Sequence, residues 1–124
     1  MAHLDTHVAV WLCQGSVDLL SPDCKRVLEQ EESLVSPMVA LELAFLYEIK
    51  RIRLTSAKIL SILQKEIGLR VCDLSLQAIS AQAINESWTR DPFDRIIVAH
   101  ARAMKASLLS KDSVIRKNYS SAIW

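Results

Sequence analysis

Glycine is nearly missing from this chain: Gly15 and Gly68 are the only two in 124 residues. A loop that cradles phosphate needs several close glycines so that its backbone can approach the ligand. Dinucleotide and P-loop chemistry therefore lose their main support. Cysteine is scarce and odd in number. Cys13, Cys24 and Cys72 stand far apart, with no Cys-x-x-Cys pair. That pattern disfavours zinc and suits small buried residues of a reducing compartment. No apolar run approaches the ~20 residues of a membrane span. No charged region followed by a long apolar run marks a signal peptide at the N-terminus. The expected location is the cytoplasm. Neither sign of charge dominates, since 15 Lys and Arg face 14 Asp and Glu for a formal net charge of +1. No bulk basic charge advertises nucleic acid, though a local basic rim is compatible with this balance.

Apolar residues are plentiful. At 51% of the chain they suffice for one buried core, and the length fits one domain over residues 1–124. Short apolar runs alternate with helical patterns. Residues around His3 and Leu4 read as a first strand, and "THVAVWLC" as a helix ending near Gly15. "SPDCKRVLEQEE" starts with Ser21 as N-cap and Pro22 at the first helical position. "SLVS" (33–36) reads as a strand, 37–52 as a long helix opening on Pro37, and 55–68 as a helix from Thr55 to Gly68. A strand over 70–74, a helix over 75–85 and the loop "NESWTR" follow. The rest reads as a helix over 91–105, a strand over 107–110, a short helix over 112–119 and a closing "AIW" strand. Short apolar strands separated by helices imply a parallel sheet covered on both faces. The expected fold is a three-layer α/β/α domain with a central, mainly parallel sheet of four to five short strands.

In such sheets function sits outside the carboxyl ends of the strands. Asp5 directly follows the first strand, and Asp112 follows "SLLSK". Asp91 and Asp94 open the helix whose N-terminus faces the same edge. Glu42 is different. It lies within "VALELAF", between Leu41 and Leu43, where a lone carboxylate is costly unless paired or bound to a metal. Each acid also has a bland reading. Asp5, Asp91 and Asp112 suit N-caps, Asp94 can complete a capping arrangement, and Glu42 can pair with an arginine. The set is more telling than any member, because four independent edge acids in one small α/β domain are uncommon, and they are expected to converge. Crowded carboxylates raise one another's pKa, and a divalent cation removes that penalty. Oxygen-only ligands suit Mg²⁺ or Mn²⁺.

Four segments, "LDTHVAVWL" (4–12), "SPMVALELAFLYEIKRI" (36–52), "DPFDRIIVAHA" (91–101) and "LLSKD" (108–112), together resemble the PIN-domain family, and within it VapC-type toxins of toxin–antitoxin pairs. The resemblance covers nearly the whole chain in order. It implies a metal-dependent endoribonuclease with Mg²⁺ or Mn²⁺ held by Asp5, Glu42, Asp94 and Asp112. It also implies a cognate antitoxin and a homodimer. Asp91 is then the cap and an outer acid, while Thr6 and Ser110 support the ligands. Ser110 stands where a threonine is frequent, with its hydroxyl placed to serve Asp112. Val39 stands where many relatives carry a hydroxyl residue three before the glutamate.

Arg90, Arg95 and Lys111 are candidate contacts to RNA phosphates, with surface arginines or an ion pair of Arg95 as the plain alternatives. Trp88 reads as a packing residue that alternatively stacks a base. His7 reads as a partly buried helix residue or a general base, and His100 as a helix-face residue. "LAFLYEIKRI" and "ILSILQKEIG" form an αα hairpin whose Phe45, Leu46 and Tyr47 either fill the core or receive a partner. Two other classes compete with the ribonuclease. A receiver-like phospho-acceptor has similar length, but it needs adjacent acids after the first strand and leaves Glu42 unexplained. A catalytically silent binding domain of the same fold needs no metal at all.

Overall fold

Every strand is only two or three residues long, and each helix begins at a capping residue just beyond a strand or loop. The computed structural model describes all residues, Met1–Trp124. Along the chain come β1 (Ala2–Leu4), α1 (Thr6–Cys13), a 3-10 turn (Val17–Leu19), α2 (Pro22–Gln30), β2 (Ser33–Val35), α3 (Pro37–Glu48) and α4 (Ser56–Ile67). There follow β3 (Arg70–Val71), α5 (Leu76–Ala83), α6 (Pro92–Ala103), β4 (Ser107–Leu109), α7 (Ser113–Asn118) and β5 (Ala122–Ile123). The strands form one sheet in the order β3-β2-β1-β4-β5. Every pairing is parallel. Parallel neighbours need crossovers, and the helices supply them on both faces, which gives the three-layer α/β/α architecture.

The main core holds Leu4, Val35, Val39, Leu43, Leu63, Ile97, Leu109 and Ile115, all buried. A smaller cluster of Ile79, Ala83 and Ala99 joins α5 to α6. Helix starts follow local chemistry. The Ser21, Ser36, Thr55 and Ser75 hydroxyls accept amide hydrogen bonds from the first turns of α2, α3, α4 and α5. Gly68 ends α4 at φ 68°, in the left-handed region where glycine carries no side-chain penalty.

Several boundaries differ from the sequence reading, among them the ends of α2 at Gln30 and α5 at Ala83 rather than residues 32 and 85. Helix α3 stops at Glu48 rather than residue 52, because Lys50 turns to φ 62° and the Arg51 amide folds back onto the Leu46 carbonyl. Helix α6 stops at Ala103, with Lys105 at φ 52° doing the same job. These C-termini use lysine in a conformation normally left to glycine, so composition gave no stop signal. Strand β3 pairs only through Arg70 and Val71 instead of continuing to residue 74. It is an edge strand, and both residues are exposed.

Candidate functional site

The sheet order places β1 in the middle, with β2 on one side and β4 on the other. The chain first winds outward through β2 and β3, then returns to the opposite side of β1. That reversal opens a crevice at the carboxyl ends of β1 and β4. It also differs from the 2-1-3-4-5 order of receiver-type sheets, so the phospho-acceptor reading falls.

A cavity of about 420 Å³ occupies this crevice. Asp5, Glu42, Asp94 and Asp112 all line it, with Asp91 beside them. His7, Trp11 and Lys111 complete its rim. The four acids arrive from α1's cap, the interior of α3, the first turn of α6 and the cap of α7.

Asp5 is almost wholly buried. Its Oδ1 accepts from the Thr6 amide at 2.7 Å and its Oδ2 from the Ser110 hydroxyl at 2.6 Å. Burial raises its pKa above the ordinary carboxyl value, against the lowering effect of those two bonds. Ser110 also accepts from the Asp112 amide at 3.1 Å. Its hydroxyl thus serves Asp5 directly and Asp112 only through the backbone, a correction to the reading that assigned it to Asp112. The Thr6 hydroxyl donates to Glu42 Oε1. Thr6 therefore supports Glu42 with its side chain and Asp5 with its backbone. Val39 is fully buried in the core, and the hydroxyl beside the glutamate comes across from α1. No arginine pairs with Glu42. Its pKa is raised by burial first, then by the charges of Asp5 and Asp91.

Asp91 and Asp94 divide their roles. Asp91 Oδ1 accepts from the Phe93 amide at 2.8 Å and the Asp94 amide at 3.4 Å, capping α6. The Asp91 amide goes to the Thr89 hydroxyl, so Asp94 does not close a capping box. The Asp94 carboxylate accepts no hydrogen bond and has no cationic partner. Burial, and then the negative charges of Asp91, Asp5, Asp112 and Glu42, push its pKa up to about 7. Asp112 caps α7 through Oδ1 and is exposed on its other side.

The basic candidates separate. Lys111 is on the rim. Arg90 and Arg95 do not line the cavity. Arg95 Nε donates to the Thr89 carbonyl at 2.8 Å and Arg90 to the Ser87 carbonyl at 2.9 Å, so neither forms the ion pair weighed for Arg95. His7 is exposed rather than partly buried. His100 is buried, shares a hydrogen bond of 2.9 Å with Ser36, and stacks on the fully buried His3. Trp88 packs against the core and donates to Glu86 at 2.7 Å. Trp11 went unmarked in the sequence. Its helical spacing of four from His7 was the available signal.

These residues fit a hard divalent cation in donor chemistry. All are oxygen donors, they repel one another, and one is left without any partner. No three His, Cys, Asp or Glu side chains are already gathered at ligand distances. The breadth of the cavity agrees with an ion that keeps several waters and takes one or two carboxylates directly, as Mg²⁺ does.

The profile of the PIN domain matches residues 2–120. The chain belongs to the PIN domain family. Two solved structures share this PIN fold. One is a toxin–antitoxin complex from Klebsiella pneumoniae, with TM-score 0.68 and 16% identity over 100% of this chain and 97% of that chain. The other is VapBC2 from Rickettsia felis bound to a DNA fragment from its promoter, with TM-score 0.65 and 18% identity over 98% of this chain and 95% of that chain. At such identities they speak for the fold alone. No curated protein matches the sequence.

Proposed function

We propose that this PIN domain is a divalent-metal-dependent endoribonuclease, the VapC-like toxin of a toxin–antitoxin pair, working in the cytoplasm. The observation that carries the reading is Asp94, an unpartnered carboxylate among four other acids at the carboxyl edge of the sheet. Asp5, Glu42, Asp94 and Asp112 are the residues to hold Mg²⁺ or Mn²⁺. When bound, the cation supplies an activated water and neutralises charge developing on the phosphate.

The chain's own residues prepare that chemistry. Ser110 and Thr6 fix the Asp5 and Glu42 carboxylates, so their outward lone pairs face the cavity. Asp94 gives up its proton to become a ligand, which its crowding makes reluctant below about pH 7. Asp91 adds negative charge while it caps α6. Lys111 stands next to the acids and is placed to hold a non-bridging phosphate oxygen of the RNA. Arg90 and Arg95 are placed to contact flanking phosphates, since both keep terminal guanidinium nitrogens beyond their carbonyl bonds.

The partner surface has its own candidate. Leu41, Phe45 and Ile49 recur every four residues and are exposed along one side of α3 and its end, which suits an antitoxin segment or a second copy of the chain. No helix is long and apolar enough to cross a membrane.

The test is to incubate the antitoxin-free protein with total cellular RNA and Mg²⁺ or Mn²⁺, and to map new 5′ ends. Discrete cuts that disappear with EDTA and with Asp94→Asn support the reading. Cuts that survive Asp94→Asn refute this site. A folded, metal-binding protein that cuts nothing points instead to a catalytically silent PIN-fold binding domain acting through its apolar α3 face.

A further inference from the structure

The acidic cavity does not end at its rim. A second cavity of about 270 Å³ adjoins it and shares two lining residues, His7 and Trp11. The chemistry of the walls changes across that boundary. The first cavity carries five carboxyl groups. The second carries none; beyond His7 and Trp11 its walls are the polar Gln14 and Arg51 and the aliphatic Val10, Leu46 and Ile52.

The arrangement follows from the fold. His7, Trp11 and Gln14 recur at helical spacing, so they share one face of α1 and its C-cap. Arg51 reaches the same groove because α3 ends early at Glu48 and the chain turns back there. Its side chain makes no ion pair or hydrogen bond. The aromatic rings form a row. His7 and Trp11 have centroids 6.1 Å apart, and Trp11 and Trp124 meet edge-on at 5.5 Å. Lys111 Nζ lies 5.9 Å from the Trp124 ring, which ties the row to the acid rim. Trp11 is thus braced by Trp124 and still contributes wall to both cavities.

We propose that this groove is a subsite for single-stranded RNA next to the cleavage site. A base beside the scissile phosphate stacks on Trp11, Gln14 offers its amide to base edges, and Arg51 holds the next phosphate. The proposal rests on the nuclease reading above. Its chemistry favours RNA over a purely apolar protein segment, since an unpaired guanidinium, an amide and an indole stand beside the aliphatic Val10, Leu46 and Ile52 with no acid among them. A π-face also accepts any base. Continuity with the carboxylates gives the strand a path from metal to stack.

The test separates binding from cleavage. Asp94→Asn protein is titrated with a fluorescein-labelled, single-stranded oligouridylate in Mg²⁺, alone and combined with Trp11→Leu, Trp11→Phe or Arg51→Ala. Trp11→Leu is expected to weaken binding about tenfold or more, and Trp11→Phe to restore most of it. Arg51→Ala is expected to lower the slope of log affinity against log salt by about 0.7, one phosphate contact on a single strand. In the active protein the same changes raise KM with kcat little altered. Arg51 is exposed, so its variant keeps the test intact even where Trp11→Leu does not fold. Unchanged affinity and salt slope overturn the subsite. So does a loss confined to kcat, or a loss of protein-partner binding with RNA binding intact. Wild-type protein that binds this RNA through Trp11 and Arg51 but never cuts RNA sinks the nuclease reading and leaves the groove.

Discussion

The Ser110 hydroxyl donates to Asp5 Oδ2 at 2.6 Å and joins the end of β4 to the end of β1. The bond adds a side-chain link between two strands, already paired through their backbones, whose carboxyl ends form the crevice. Its acceptor is a buried charge-bearing group, where hydrogen bonds contribute about 1.5–3 kcal/mol. Ser110→Ala is expected to destabilise the fold by roughly 1–2 kcal/mol in urea denaturation. It should also lower metal-dependent cleavage about 10-fold or more, because Asp5 loses its orientation. Ser110→Thr retains the hydroxyl and should recover activity. An alanine variant with unchanged cleavage would show that Asp5 needs no such support.

Asp94 trades stability for binding capacity. Its folded-state pKa is raised from 3.8 to about 7. Folding therefore favours the protonated acid. The stabilising contribution is complete below about pH 3.8 and is lost as pH rises through about 7. Asp94→Asn mimics the protonated form. It is expected to stabilise the metal-free protein at pH 8 by roughly 1–2 kcal/mol, discounted for the open side of the cavity. Thermal unfolding at pH 8 and pH 5 checks this, since the gain should shrink at the lower pH.

Metal should reverse that sign. Mg²⁺ or Mn²⁺ binds the ionised carboxylates of the folded chain, so Tm should rise with ion concentration. The rise should be larger at pH 8 than at pH 5.5, where Asp94 holds its proton. Asp94→Asn should blunt the response at both. An equal, pH-independent rise in wild type and variant would place the ion elsewhere.

Much of this site was legible as sequence, for a physical reason. A residue just past a strand in a parallel sheet has little freedom of place, so Asp5 and Asp112 could be put at the carboxyl edge from the strand pattern alone. Glu42 stood out because capping cannot explain an acid inside α3. What stayed hidden depends on contacts between distant segments. The Thr6–Glu42 bond spans 36 positions and the Ser110–Asp5 bond spans 105, and no local pattern encodes either. The stop of α3 was hidden too, because Lys50 adopts a conformation that its residue type seldom signals. Trp11 was read as part of an apolar helix, and only the tertiary fold sets it between two cavities.

The buried histidines act over the same pH range with the opposite sign. His3 is fully buried with both ring nitrogens unpartnered, and its ring stacks on His100 with centroids 6.3 Å apart. Burial, then His100 and the N-terminal ammonium, lower its pKa from 6.5 to about 4. Burial lowers His100 as well. The neutral rings therefore contribute stability that is present above about pH 6.5 and lost as pH falls toward about 4. Asp94 works against this trend, so the measurement belongs in Asp94→Asn protein. His3→Leu should flatten the acid limb of stability between pH 6.5 and 4. An acid limb that keeps its slope would move the cause to other groups.

The loop before α6 is held by a different pair. Glu86 is buried, and Arg102 Nε donates to its Oε1 at 2.6 Å while Trp88 Nε1 donates to its Oε2 at 2.7 Å. Arg102 also covers the Tyr119 ring at 4.8 Å and donates to the Asn118 carbonyl at 3.2 Å. The arginine thus ties the 84–90 segment to the end of α7. Removing one partner of a buried pair leaves an uncompensated charge, whereas Glu86→Gln removes the charge and keeps one of the two acceptor positions. Arg102→Met strands the Glu86 carboxylate with only the indole donor, and should cost about 2–3 kcal/mol, reduced by the partial exposure of Arg102. Glu86→Gln keeps an acceptor for Arg102, loses the bond from Trp88 Nε1, and should cost about 1 kcal/mol. The ranking is the decisive point, because a pair that merely decorates the surface would give two small and equal losses in urea denaturation. Since the same segment leads into Asp91 and Asp94, Arg102→Met should also weaken metal binding, and Glu86→Gln should largely preserve it.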